Sequence, residues 1–342
     1  MTQRSSTPFA LGLLVALLSA ASFGSSGTFG AALLATGWSP GAIVTARITG
    51  GALLMLLPAL YALRGRWYLL RRNARTVVFY GLLAVAGCQL AYFSAVQHLS
   101  VGVALLLEYL APVLLVGWMW ARHGRRPTAL TLGGVLAALV GLGLVLDVTS
   151  GARIAPAGLF FGLLSAIGLM SYFLLSADGE DALPPIAYAG FGLAVGAVTL
   201  VVSGLVGVLP MTANAADVVL AGWQAPWWVA IVELAVVAAA AAYALGVASV
   251  RMLGVTLSSF VGLSEVLFAV IFAWVLVGQA LAPVQVLGGL AILLGVILVK
   301  VGESRLVTAA AGAQPAELVP DAPAAPAGAP LEDGLGKATT VH

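Results

Sequence analysis

The sequence predicts an all-α integral membrane protein, with ten transmembrane helices arranged as two inverted five-helix repeats. Three observations carry that fold class. Of 342 residues, 61% are hydrophobic and 8% charged, with a mean hydropathy of +1.08. A soluble domain is about a quarter charged, so this chain lacks the polar surface to stay dissolved. Apolar stretches of about 20 residues recur along it, each long enough to cross a hydrocarbon core of about 30 Å. The second half also repeats the first: "APVLLVGWMWARHGR" (111–125) aligns with "EVLFAVIFAWVLVGQ" (265–279) at an offset of 154, placing Trp120 on Trp274 and Gly124 on Gly278. After a one-residue slip, "LGGVLAALVGLGLVL" (132–146) meets "LGGLAILLGVILV" (287–299). Each repeat holds five spans, an odd number, so the second must enter the membrane from the opposite side.

The spans follow in order. Residues 1–8 are a short N-terminal segment. The first span (9–34) has Arg4 ahead of it and "LLSAAS" within it, as in a cleavable leader, but it stays apolar well past that point and is read as helix one. It carries Ser22, Ser25, Ser26 and Thr28. The second (40–63) holds Arg47, expected to snorkel, or to pair with a carboxylate, in a structural role. The third (75–98) has Gln89 and Tyr92 three residues apart on one polar edge, and His98 at its end. The fourth (101–121) contains Glu108 and Pro112. Proline has no N–H and cannot bond the carbonyl four residues back, here that of Glu108. Pro112 is therefore the expected hinge, bending the helix beside the carboxylate. The fifth (128–148) offers Gly133, Gly134, Gly141 and Gly143 for close helix approach. The sixth (155–175) has Ser171, Tyr172 and the pair Gly158 and Gly162; the seventh (184–209) has Gly192 and Gly196. The eighth (227–250) carries Glu233 near its outer end and Tyr243 in a place like that of Tyr92. The ninth (254–277) holds Glu265. The tenth (282–301) brings Gly288, Gly289 and Gly295, the partners of the fifth. The repeats are bounded at 9–148 and 155–302. Beyond them, 303–342 turns to Ala, Pro and Gly with scattered charge and is expected to be a disordered cytoplasmic tail.

With both termini inside, cytoplasmic segments hold 13 of the 15 basic residues: Arg4, Arg64, Arg66, Arg71, Arg72, Arg75, Arg122, Arg125, Arg126, Arg251, Lys300, Arg305 and Lys337. Arg153 alone falls outside, and Arg47 within a span. The connection "ADGEDALPP" (177–185) is acidic yet cytoplasmic, and acidic residues weigh little in this rule. Other function classes find no support. The one cysteine, Cys88, permits no intrachain disulfide or cysteine metal site. No basic patch with interleaved aromatics points to nucleic acid. There is no GxxxxGK[ST] loop for ATP and no HExxH for zinc, and no cofactor is expected.

Three carboxylates lie inside apolar spans: Glu108, Glu233 and Glu265. Charge at a bilayer centre costs about 2.5–3.5 kcal/mol on insertion scales, so such residues face the bundle interior or a water-filled cavity. Glu108 shares a helix face with Ala111, and Ala111 aligns with Glu265, so both carboxylates should look into the space between the repeats. Substrate or proton binding is expected there, helped by Gln89, Tyr92, Tyr172, Tyr243, Ser25, Ser26 and the shallower Glu233.

The chain resembles the drug/metabolite transporter superfamily, specifically paired EamA domains, over about 9–302. The resemblance rests on "FGSSGTFGAALL" (23–34), "TARITGGALLM" (45–55) with its Arg47, and the end of each repeat. Family repeats typically close with a Glu-Pro pair, a loop Gly-Glu and a Gly-rich helix. Here the pair is divided: Ala111 precedes Pro112, and Val266 follows Glu265. The loop glutamates are replaced by Arg125 and Gln279. The resemblance implies ten helices, cytoplasmic termini and alternating access, most often exporting amino acids or related small metabolites across the cytoplasmic membrane. Proton coupling and passive facilitation stay open. An intramembrane enzyme on lipid-linked substrates would need a metal cluster or a nucleophile–base pair, which the spans do not offer.

Overall fold

The computed structural model describes residues 6–98, 101–123, 128–145, 156–177, 183–277 and 283–312. Arg4, Arg125, Arg126, Arg153, Asp178, Glu180, Asp181, Gln279 and the tail beyond 312 lie outside them. The described chain is almost wholly helical, as it must be where no water can satisfy the backbone. Seven helices among the described residues are long and apolar enough to cross a membrane: Phe9–Ala35, Pro40–Ala62, Ala74–Val96, Pro156–Leu175, Pro185–Leu205, Trp227–Leu253 and Val255–Leu276. Two shorter apolar helical segments, Ala129–Gly141 and Val286–Gly295, accompany them.

In chain order, α1 is Ser6–Ala35 and α2 Pro40–Ala62. Ser39 caps α2 by accepting from the Ala42 N–H at 3.2 Å, and Pro40 opens its first turn, where a missing N–H costs nothing. A short α3 (Trp67–Arg72) leads to α4 (Ala74–Phe79), which runs through the π-helical segment π1 (Tyr80–Gly87) into α5 (Cys88–Val96). The fourth expected span is two pieces, α6 (Val101–Glu108) and α7 (Ala111–His123). Between them the Leu110 N–H bonds the Leu107 carbonyl at 3.2 Å, a tightened turn, and Pro112 stands in the first turn of α7. Next come α8 (Ala129–Val145), α9 (Pro156–Leu175) and α10 (Pro185–Leu205). A hairpin of β1 (Val218–Leu220) and β2 (Trp223–Ala225) then precedes α11 (Trp227–Ala235), which passes through π2 (Val236–Ala241) into α12 (Ala242–Leu253). The ninth span is also divided, into α13 (Val255–Gly262) and α14 (Ser264–Val277). Finally, α15 is Pro283–Gly312.

The interruptions keep the sequence offset. Glu108 ends α6 and Gly262, 154 residues later, ends α13. Likewise, π2 lies 154 residues beyond 82–87, inside π1. The matched Trp120 and Trp274 are 50% and 51% exposed.

Three features differ from the sequence expectations. The hairpin was not foreseen: each strand has three residues, too few for a legible period of two. Its turn, Ala221–Gly222, takes φ of 53° and 76°, the positive values of a type I′ connection. The α10–α11 connection also folds over the α1–α2 corner. The Ser39 N–H donates to the Thr212 carbonyl at 2.9 Å, the Ser39 hydroxyl to the Pro210 carbonyl at 2.8 Å, and the Trp38 indole N–H to the Asn214 carbonyl at 2.9 Å. Finally, α15 continues to Gly312, past the expected limit at 301, through an alanine-containing stretch of high helix propensity.

Helices pair as α8 with α15, α2 with α10, α5 with α9, and α1 with both α12 and α14. Glycine decides the first of these. A Cβ at Gly141 would lie 2.6 Å from the Gly288 carbonyl oxygen and 2.7 Å from the Ile292 nitrogen, and one at Gly295 would lie 2.7 Å from the Gly134 carbonyl oxygen. Gly133 and Gly143, expected to act alike, meet nothing within 4 Å and take no part. Gly133 is exposed and Gly143 half-buried. Gly141→Ala should therefore lower stability by about 1–3 kcal/mol through overpacking against backbone, while Gly133→Ala leaves it unchanged or slightly raised. Thermal unfolding of the purified variants in detergent checks the contrast.

Candidate functional site

The interrupted helices converge on a small internal cavity. Its wall takes Phe23 from α1, Ala84 from π1, Cys88 and Gln89 from α5, Glu108 from α6, Leu169 and Tyr172 from α9, Tyr243 from α12 and Glu265 from α14. A neighbouring cavity shares Phe23, Leu169, Tyr172 and Glu265, and extends past Tyr109 toward Ser19, Ser249 and Ser258. The space open to the centre of a water molecule is about 30 Å3 in one and about 40 Å3 in the other, enough for a few waters each. The site is closed.

Glu108, 8% exposed, is the last residue of α6, while Glu265 lies in the first turn of α14. The two carboxylates thus flank the two helix breaks. The Cys88 thiol lies 3.5 Å from Glu108 Oε1 and 3.5 Å from the Ser165 carbonyl. Tyr109, in the α6–α7 break, and Glu265, from the other half of the chain, line the neighbouring cavity together. Aromatic rings form the remaining wall. Phe23 meets Tyr243 edge-on at 5.1 Å and Tyr172 at 6.4 Å, and Tyr172 meets Tyr243 at 6.0 Å. The Tyr172 hydroxyl is buried without a hydrogen-bond partner.

Arg47 neither snorkels nor pairs with a carboxylate. It is fully buried, donating from Nη1 to Gln89 Oε1 and from Nη2 to the Ala238 carbonyl, both at 2.5 Å. Ala238 belongs to π2, so one guanidinium ties α2 to α5 and to the π segment. Its Cζ lies 6.0 Å from the Phe23 ring centroid, and its Nε has no hydrogen-bond partner. The thermodynamic reason is local: a guanidinium fork matches an amide oxygen and a carbonyl placed side by side.

A match to the family model described as the EamA-like transporter family covers residues 10–147 and 156–301. The chain belongs to that family. It is similar to the uncharacterized inner membrane transporter YicL of Salmonella typhimurium, with 24% identity over 244 residues, 70% of this chain and 77% of that relative. A solved crystal structure, 19% identical, superposes with a TM-score of 0.66 over 87% of this chain and 99% of its own, a likeness of fold. This EamA-like chain is accordingly a multi-pass membrane protein of a transporter family.

Of the residues singled out from sequence, Glu108, Glu265, Gln89, Tyr172 and Tyr243 come together at the cavity of this EamA-like protein. Tyr92 does not: it is 4% exposed and packs edge-on against Phe93 at 5.2 Å, apart from the lining. Glu233 stands off the cavity and accepts a hydrogen bond from the Ser25 hydroxyl, while Ser26 is buried beside it in α1. His98 stacks on Phe161 at 6.3 Å. Phe23, Cys88, Tyr109 and the Arg47–Gln89 contact were not foreseen as parts of the site. The available signal was position: Phe23 opens the family-like "FGSSGTFG" stretch, and Cys88 and Tyr109 adjoin Gln89 and Glu108. Among the described residues, no group of three or more His, Cys, Asp or Glu could hold a metal.

The second Glu233 oxygen has no hydrogen-bond partner, so Ser25 alone satisfies this carboxyl. Ser25→Ala should cost about 1–3 kcal/mol by leaving a buried polar group unmet. Ser22→Ala removes only a bond to its own helix at Leu18 and should be near neutral. Detergent unfolding curves of the two variants provide the comparison.

Proposed function

We propose that the chain is a secondary transporter that moves amino acids or related small amphiphilic metabolites across the cytoplasmic membrane by alternating access, in the direction of export. The carrying observation is a cavity bordered by a carboxylate from each half of the chain, Glu108 at the break of α6 and α7 and Glu265 at the break of α13 and α14. Carboxylates at membrane depth mark substrate or ion pathways, and broken helices supply the site in inverted-repeat transporters. Ten spans follow when α6 with α7, α8, and α15 are added to the seven long helices. The recurrence of both interruptions at one offset supports two repeats, and five spans per repeat makes them inverted. Arginine-rich connections support the reading that both termini are cytoplasmic.

In this cycle, the halves rock around the cavity, and Pro112 serves as a hinge at the α6–α7 break. Glu108 and Glu265 take the substrate ammonium or exchange protons for it, with Gln89, Tyr172 and Tyr243 completing the wall. Glu233, Ser25, Ser26 and Tyr92 are assigned to the path beside it. The direction of transport rests on family membership.

Reconstituted vesicles loaded with a labelled amino-acid panel test the proposal. Counterflow of at least one member should be accelerated by an imposed pH gradient, and Glu108→Gln and Glu265→Gln should abolish transport or uncouple it from that gradient. Transport insensitive to the gradient in the wild type would identify a passive facilitator. Full wild-type activity in Glu108→Gln would remove the role given to that residue.

A further inference from the structure

We infer that Arg47 is a positioning residue that makes the cavity selective for substrates bearing an anionic or carbonyl acceptor as well as an ammonium. The inference rests on the amino-acid reading above and deepens it. Arginine carries donors only, so the Gln89 atom that meets Arg47 Nη1 at 2.5 Å has to be the amide oxygen. The orientation of that amide is fixed by chemistry. Its nitrogen must then occupy the other side of the plane, where Gln89 borders the cavity.

An amide nitrogen has two protons. Gln89 borders the cavity beside Tyr243, and with its oxygen taken by Arg47 what it has to offer that wall is N–H. The wall thus presents acceptors at Glu108 and Glu265 and a fixed donor at Gln89. Without Arg47 the amide could turn and offer its oxygen, adding a third acceptor. A simple amine would be served equally well by such a wall. An amino acid would not, because its carboxylate would lose the Gln89 donor and keep only hydroxyl donors such as that of Tyr172.

Arg47 itself remains outside the lining, so it acts through Gln89. Its second bond, to the Ala238 carbonyl of π2, locks the guanidinium plane. Lysine at this position would keep the charge but lose the fork that reaches both acceptors. Glutamate in place of Gln89 would keep a partner for Arg47, as an ion pair, but offer the cavity no donor when ionised.

The test uses full-length protein in lipid nanodiscs and matched probes, a panel of L-amino acids and the decarboxylated amine of each. Affinity is read for the wild type, Gln89→Glu and Arg47→Lys, and thermal unfolding confirms that each variant is folded. In both variants the preference for amino acid over its amine should fall by about tenfold or more, the scale of one hydrogen bond to a charged group. Amine affinity in Gln89→Glu should be kept or strengthened. A merely structural role would weaken both probes together and leave their ratio unchanged, which would overturn the inference. Wild-type protein that binds neither member of any pair would overturn the amino-acid reading itself, and the inference with it.

Discussion

A chain inside hydrocarbon has to satisfy each backbone N–H and C=O from within itself, because an unmet group there costs several kcal/mol. Everything in this fold follows from that constraint and from the few places where it is locally relaxed. Four interruptions stand out: π1, the α6–α7 break, π2 and the α13–α14 break. Each borders the internal cavity or a residue tied to it. Ala84 comes from π1, Glu108 and Tyr109 from the first break, Gly262 and Glu265 from the second, and the Ala238 carbonyl of π2 is taken by Arg47. Each π segment turns one face to protein, with Ala84 and Ala238 buried, and π segments of this kind are common at functional sites.

The same constraint explains the electrostatics. One cation, Arg47, is buried at a crossing of three elements and spends two of its donors on an amide oxygen and a backbone carbonyl. Three carboxylates stand around it, each with a different arrangement: Glu108 near a thiol, Glu265 near a phenol, Glu233 on a serine hydroxyl. Ser25 and Glu233 come from different halves of the chain, so in the proposed cycle relative motion of the halves would rearrange that contact.

Much of this was legible in the sequence where a residue type conflicts with its surroundings. A glutamate or proline in an apolar run stands out, which is why Glu108, Glu265 and Pro112 could be marked, whereas the ninth span was expected unbroken and its division between α13 and α14 was not foreseen. The misses have physical causes. Helix exteriors here face lipid and are as apolar as the interior, with Leu57 76% exposed and Leu136 63%. Hydrophobic periodicity therefore cannot say which face is inward, and Gly133 read the same as Gly141. Gln89 and Tyr92 do share a face of α5, but only Gln89 borders the cavity, while Tyr92, a turn further along, packs on Phe93. Tyr109 lies in a break whose local geometry no propensity encodes. Arg47 was visible as an anomaly, but its partners are 42 and 191 residues away.

The central claim, that one cavity shared by both halves opens alternately to the two faces, has a native reporter. Cys88 is the only cysteine in the chain, and it is buried in the wall beside Glu108. Modification of oriented vesicles with a membrane-impermeant thiol reagent, applied to one face at a time during transport, should label Cys88 from both faces, and a transported amino acid at saturating concentration should slow that labelling. Labelling from one face only, or none from either face while the unfolded protein is fully modified, would contradict the account.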